Sequence, residues 1–415
     1  MFYFPDDIYL YQMNIILKIR NIFIFLFLFN LLNIPAFAQN YKDSLDLALS
    51  SIYSKSEFPG FSTIIVDKKG ILYQKSLGYA DMENKRVFGT HTIQNIGSVS
   101  KTFVALALMK AIEMGYFDLE TDINSILPFK VKNPYFPEEQ IKIKHLVTHT
   151  SGIIDNNRIY TRAYLFKHNV KTDPTVLAFM NQNGYTGGLS DTTLSTFMYS
   201  YLSDEGKLYD KANFSNSKPS ESAAYSNIGS ALIAYLIEIK AGMSFADFSK
   251  KYTLAPLKMN QSGWYLTPKN VKSHSLPYFD VKKKITFPLY SLITYPDGGL
   301  RTSTNELSKY VSQMMLGLEG NSTLLSKASF ELIFKPQFSA DKLPKNFSLK
   351  TRNKGVLWNL YNDGFIGHDG DDPGVISNVL FNKEIGIIFL SNIYLENRNE
   401  ILDVMKKYGP KIKRE

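Results

Sequence analysis

The chain has 415 residues, of which 44% are hydrophobic, 14% aromatic and 20% charged. That is enough apolar material for a large folded core and too much for a disordered chain. It contains no cysteine, which excludes disulfides, thiolate nucleophiles, iron–sulfur clusters and thiolate zinc sites together. Basic residues number 47 against 38 acidic, for a net charge of +9. The lysines fall in short scattered runs such as Lys282, Lys283 and Lys284, not on one face with interleaved aromatics, so nucleic acid is not the expected partner.

From Met13 the chain reads MNIILKIRNIFIFLFLFNLLNIPAFA. Lys18 and Arg20 precede an apolar run, and Ala36-Phe37-Ala38 supplies the small residues of a cleavage site, so 1–38 is read as an N-terminal extension and signal peptide. The expected start is Met13 and the expected cut follows Ala38, leaving a periplasmic or secreted protein from residue 39. The run from Phe23 to Leu32 is too short and too interrupted for a stable membrane span; a retained anchor is the alternative.

Leu45, Ala48, Leu49, Ile52 and Tyr53 recur at helical spacing, which predicts an amphipathic helix over 42–56. FSTIIVD (61–67) and ILYQKSLGY (71–79) are β-branched and aromatic runs around a Lys-Lys-Gly turn, a predicted hairpin. Helical patterns dominate from about 101 to 312, and the polar stretch 156–222 reads as an insertion rather than core. A second hairpin is expected from 374–382 and 385–392, then a last helix over about 397–408. Strands near both ends with helices between them predict an α+β fold in which one antiparallel sheet is flanked by N- and C-terminal helices. The sheet lobe takes about 40–97 and 313–415, and a helical lobe, about 98–312, is inserted.

Three segments carry the chemistry. Ser98-Val99-Ser100-Lys101 precedes a run apolar almost all round, the mark of a buried helix. A serine at its first turn lies near unsatisfied N–H groups, and a lysine three residues on shares its face. Ser215…Lys218 and Ser339…Lys342 repeat that spacing, and a serine N-cap beside a solvated lysine is the plainer alternative. Tyr225-Ser226-Asn227 opens another apolar helix, so a phenol and a carboxamide two residues apart point to one side; a phenol beside an ammonium can act as a base. An asparagine N-cap beside a packed tyrosine is the alternative there. Gly367-His368-Asp369-Gly370 places His368 at a strand end between glycines, and a backbone N–H beyond Gly370 together with that of Ser98 would form an oxyanion hole. A surface histidine in a glycine turn fits the same residues.

In this order the three segments resemble the serine β-lactamase and penicillin-binding-protein type hydrolases, on the branch of class C β-lactamases, DD-carboxypeptidases and esterases. Ile143-Lys144-His145-Leu146-Val147-Thr148-His149-Thr150-Ser151-Gly152 and Pro296-Asp297-Gly298-Gly299-Leu300 with Ser303 are similar to further segments of that family. The resemblance covers about 42–405. It implies Ser98 as the acylated nucleophile, Lys101 as its activator and Tyr225 as general base. It also implies that Asn227 orients the acyl group, that His368 stands where other members carry lysine, and that Asp371 beyond Gly370 supplies the second oxyanion amide. His145 and His149, four apart, have no nearby third ligand and are read as packing or hydrogen-bonding residues, so no metal or organic cofactor is expected.

His368-Asp369-Gly370 lacks the point cation and hydroxyl that bind a substrate carboxylate, and Asp369 facing the cleft would repel one. The expected activity is therefore acyl-enzyme hydrolysis of small esters or amides such as D-amino-acid peptides, small-molecule or peptidoglycan-like. A class C-like β-lactamase and a catalytically silent envelope-binding protein are the alternatives. No Gly-x-Ser-x-Gly elbow occurs, which argues against an α/β-hydrolase.

Overall fold

A computed structural model describes residues 41–166, 172–185, 192–395 and 398–414. The expected signal segment, with Met13 and the cut after Ala38, lies outside the described residues. A helix over 41–55, α1, leads into strands β1 (Gly60–Asp67), β2 (Gly70–Asp81) and β3 (Arg86–Val87). The helical lobe follows, with its central helices α2 (Ser100–Glu113) and α3 (Asn227–Ala241). Helix α4 (Thr304–Gly317) then returns the chain to strands β4 (Arg352–Lys354), β5 (Asn359–Tyr361), β6 (Ile366–Asp372), β7 (Val375–Phe381) and β8 (Gly386–Ser391), and α5 (Asn399–Tyr408) follows them.

These strands form one 8-stranded sheet in the order β4-β5-β6-β7-β8-β1-β2-β3. Every pairing in it is antiparallel, and β1 joins the N-terminal strands to the C-terminal ones by pairing with β8, Phe61 opposite Ser391. Both faces are covered, and the period-two alternation shows how. Phe61, Ile65, Ile387 and Phe389 pack with Leu45 and Leu49 of α1 and Ile401 and Met405 of α5. Their neighbours Ile64, Val66, Ile388 and Leu390 point the other way, into the core shared with α2 and α4. Near-continuous apolar runs are what a central strand buried on both faces requires.

Helix α4 packs on β1 and runs unbroken through residue 312, so the expected lobe boundary falls inside it and the sheet lobe takes all of it. The stretch 156–222, whose composition predicts an insertion outside the core, is part of it instead: Tyr160, Val176, Phe197, Tyr201 and Leu202 are buried there. Its polar composition hides helices Pro174–Gln182 and Leu194–Leu202, which bury Val176, Met180, Leu194, Phe197, Met198, Tyr201 and Leu202 while Leu177 stays exposed. Helix α2 is buried from Ser100 to Met109, as its composition predicts. No single helix among the described residues is long and apolar enough to cross a membrane.

Candidate active site

Ser98 lies in a 3₁₀ turn, Gly97–Val99, that feeds directly into α2. Gly97 holds φ +48°, and a Cβ there would stand 2.9 Å from the Asp371 amide nitrogen. Reciprocally, a Cβ on Gly370 would stand 3.0 Å from the Ser98 nitrogen and 2.1 Å from the Ile96 carbonyl oxygen. Two glycines thus let β6 and the serine turn approach until the amides of Ser98 and Asp371 lie side by side.

Lys101 is fully buried. Its ammonium donates to Ser98 Oγ at 3.0 Å, to Asn227 Oδ1 at 2.6 Å and to the Asp297 carbonyl oxygen. An ammonium has three protons, and here all three have acceptors. Burial pushes its pKa down, but Tyr225, Asp297 and Asp155 outweigh that and hold it above the ordinary lysine value. The other two Ser-x-x-Lys matches have no such site: Lys218 pairs with Glu139 at 2.8 Å on the surface, and Lys342 ends an exposed 3₁₀ turn.

Tyr225 precedes α3, and its ring lies 5.1 Å from Lys101 Nζ. The residue is 46% exposed, yet its hydroxyl is within hydrogen-bond reach of the buried lysine and of Ser98. Burial raises the phenol pKa above its usual value, while Lys101 and a hydrogen bond with Ser98 pull it down. Ser226, rather than Asn227, caps the helix, accepting from the Gly229 N–H at 2.9 Å. That leaves the Asn227 amide free of capping duty. It donates through Nδ2 to Asp155 Oδ2 at 2.8 Å, which aims its oxygen at Lys101.

His368 is not at a strand end. It sits within β6, opposite Val379, and is buried. Burial pushes the imidazole down to about 4, with Lys354 and Lys101 adding to the push against Asp369, so it is neutral at pH 7. Asp369, next in the strand and so on the opposite face from His368, does not stand alone either. Arg398 forms a two-pronged pair with Asp371 and lies 3.7 Å from Asp369, which removes much of the repulsion expected of that acid. His145 and His149 serve the backbone: their Nδ1 atoms accept from the N–H of Lys142 at 3.0 Å and of Ser226 at 3.2 Å. His149 also packs its ring 4.5 Å from that of Tyr225.

A model of the family described as Beta-lactamase matches residues 37–404. The chain belongs to the Beta-lactamase family. Among curated proteins it is 26% identical over 375 residues to "Penicillin-binding protein 4*" of Bacillus subtilis, covering 85% of this chain and 72% of that one. It is 24% identical over 328 residues to the human "Serine beta-lactamase-like protein LACTB, mitochondrial", covering 68% of this chain and 58% of the relative. Among solved structures, the octameric penicillin-binding protein homologue from Pyrococcus abyssi superposes with a TM-score of 0.69 at 23% identity, over 89% of this chain and 78% of that one; that likeness speaks to the fold.

Several residues around Lys101 and Asn227 are not singled out by sequence reasoning, Asp297 among them although its segment is. Asp155 accepts from the N–H groups of Asn227 and Ile228, both at 3.0 Å. It anchors the start of α3 and sets Asn227. Asp297 is buried beside Lys101, and burial pushes its carboxyl up to about 7. Asp372 accepts from the Tyr164 hydroxyl at 2.6 Å and from Asn95 Nδ2 at 3.0 Å, and burial raises it to about 6. The sequence signal for Asp155 is faint: a lone acid three residues past Gly152. For Lys354 and Arg398 no local pattern exists: strand pairing places Lys354 in β4, and Arg398 stands just before α5 and meets β6 through Asp371.

Lys354 is buried to 6% exposure, and burial lowers its pKa from 10.5 to about 7. Between those values the unfolded chain binds a proton that the folded chain does not, so stability rises with pH across that window. Lys354→Met removes the titration. In urea unfolding, the variant is expected to exceed the parent by an amount that shrinks by about 2 kcal/mol between roughly pH 7.5 and 9.5. A constant difference would contradict a lowered Lys354 pKa.

Proposed function

We propose that the chain is an exported serine hydrolase that forms an acyl-enzyme on Ser98, acting on small esters or amides such as D-amino-acid peptides. One observation carries the reading: the buried Lys101 ammonium, its pKa held above the ordinary lysine value, donates a hydrogen bond to each of Ser98 Oγ, Asn227 Oδ1 and the Asp297 carbonyl oxygen. A lysine that donates to the serine oxygen is in no state to take its proton, which leaves the adjacent Tyr225 as the base.

In the proposed route Ser98 Oγ attacks the carbonyl carbon as its proton passes to the Tyr225 phenolate, whose charge Lys101 offsets. The amides of Ser98 and Asp371 hold the oxyanion, with Gly370 permitting the approach. The C–O or C–N bond breaks and Tyr225 returns the proton to the leaving group. Water then attacks the ester, gives its proton to Tyr225, and Ser98 recovers one. Asn227 orients Lys101 and the acyl group, and a neutral His368 lines the cleft. The route uses no metal or organic cofactor. Export rests on the 13–38 pattern.

Because burial holds Tyr225 as a phenol, the acylation rate is expected to rise with pH through the neutral range as phenolate is populated. Single-turnover acylation measured between pH 6 and 9 tests this; a rate that falls over that range would assign the base elsewhere. Arg398 beside Asp369 and Asp371 supports a second reading, a β-lactamase whose substrate carboxylate meets that guanidinium, and the name of the Bacillus subtilis relative points to the same ligands. Residues 39–415 and Ser98→Ala should be compared on a fluorophosphonate probe, p-nitrophenyl esters, a D-Ala-D-Ala peptide and a chromogenic cephalosporin. Turnover that survives Ser98→Ala removes the nucleophile assignment, rapid cephalosporin turnover selects the second reading, and silence of the parent on all substrates selects a binding protein.

A further inference from the structure

Tyr225 stands just before α3, and one residue from elsewhere in the helical lobe grips its segment on both sides. The Ala224 N–H donates to the His149 carbonyl oxygen at 2.9 Å, and the Ser226 N–H donates to His149 Nδ1 at 3.2 Å. The imidazole packs against the phenol between those two bonds, with ring centroids 4.5 Å apart and planes inclined by 37°. Asp155 continues where His149 stops, accepting from the N–H groups of Asn227 and Ile228. The stretch 149–155 thus ties down the backbone that carries both Tyr225 and Asn227.

The local structure of His149 suits that contact. Its backbone holds φ +57°, a left-handed conformation uncommon outside glycine but adopted by histidine more readily than by most residues. In that conformation its carbonyl oxygen and its ring reach the same segment. The side chain is buried, and an Nδ1 that accepts leaves the ring's one proton on Nε2. Nε2 has no partner among the described residues, so the bond from Ser226 is the polar contact the ring makes there. Protonation would set a second donor on Nδ1 against the Ser226 N–H. Burial, reinforced by Lys354, Lys101 and His368, prevents this by holding the imidazole well below its ordinary pKa. His145 differs: its Nδ1 accepts from Lys142, the cap of its own short helix.

The phenol held in this way meets Lys101 of α2 and Ser98 of the serine turn, with Asp297 near enough to act on its charge. The His368 ring of β6 lies 6.4 Å from its ring. We infer that His149 is a positioning residue for Tyr225: by fixing the backbone on either side of that phenol, it keeps the hydroxyl within reach of Lys101 and Ser98. The inference rests on the proposed role of Tyr225 as base and names what holds that base in place. A group displaced by about 1 Å from its reacting partner loses on the order of 100-fold in rate, and the hold of Lys101 on the phenolate weakens with distance.

Single-turnover acylation by p-nitrophenyl acetate, measured across pH, is compared in the parent, in Tyr225→Phe and in variants at position 149. His149→Gly suits the left-handed backbone and removes both ring and acceptor, whereas His149→Phe keeps a ring without the acceptor. Each is expected to lower the saturating acylation rate about 100-fold at pH 7, with little change in the substrate concentration required. The rise of that rate with pH is expected to move upward by about one unit, a tenfold weaker hold of Lys101 on the phenolate. His149→Asn offers an amide oxygen in place of Nδ1 and tolerates a left-handed backbone, so it is expected to recover most of the rate and the parental pH profile. Circular dichroism melts report folding, and either of the first two variants suffices. Parental rate and profile in a folded His149→Gly or His149→Phe overturn the inference, as does a loss that leaves the pH profile unmoved or that His149→Asn does not repair. Those results leave the base reading standing; it falls, and the inference with it, if Tyr225→Phe acylates Ser98 at the parental rate.

Discussion

Gly370→Ala is expected to lower kcat/KM for ester hydrolysis by at least about 100-fold, the loss typical of removing one oxyanion donor. The new Cβ would lie 2.1 Å from the Ile96 carbonyl oxygen, 2.4 Å from Ser377 Oγ and 3.0 Å from the Ser98 nitrogen. Two of those neighbours are backbone, and the Ser377 hydroxyl is tied to Ile96 O at 2.6 Å, so no flexible side chain is available to swing away. β6 must retreat from the serine turn, and the amides of Ser98 and Asp371 separate. Overpacking of this kind also costs about 1–3 kcal/mol of stability, so activity is compared well below the melting transition. Gly263→Ala serves as the contrast: its Cβ meets nothing within 4 Å, and near-parental activity is expected. Parental activity in Gly370→Ala would show that the amide pair does not stabilise the transition state.

Lys101→Met is expected to lower kcat/KM by about 1,000-fold or more, because Tyr225 loses the cation that offsets its phenolate and Ser98 loses its hydrogen-bond donor. The effect on stability has a distinctive pH dependence. Lys101 is the countercharge that restrains Asp297, whose carboxyl burial already raises to about 7. Without it that pKa climbs further. An acid whose folded pKa exceeds its unfolded value contributes stability at low pH that is lost as pH rises through the folded value. The variant should therefore lose stability relative to the parent as pH rises from roughly 6 to 9, by about 1.4 kcal/mol for every tenfold weakening of Asp297 as an acid. Melting curves at those pH values check this; parallel losses at every pH would show that Lys101 and Asp297 are not coupled.

How much of the molecule is legible in its sequence follows from the range of each interaction. Ser98 and Lys101 share one turn before one helix, and Tyr225 and Asn227 stand two residues apart before another, so local spacing suffices to nominate them. The hairpins at 60–81 and 375–391 are equally visible, because β-branched runs separated by short turns are a local signal. His368 is misplaced by sequence because glycines on either side read as a turn, whereas Gly370 serves a close strand-to-turn approach. The stretch 156–222 misleads because its average is polar while single positions such as Phe197 and Tyr201 carry the core. Arg398 pairs with Asp371 across 27 residues and Asn227 reaches Lys101 across 126. Arg398 has no motif to announce it, and the acids around Lys101 take their raised pKa from burial, which spacing does not encode.

The most direct measurement is mass spectrometry of residues 39–415 after treatment with a fluorophosphonate, followed by peptide mapping. One adduct per chain is predicted, on the peptide containing Ser98, absent from Ser98→Ala and formed far more slowly in Lys101→Met. An adduct on another serine, one that persists in Ser98→Ala, or no adduct on the parent chain would contradict the assignment of Ser98 as the nucleophile.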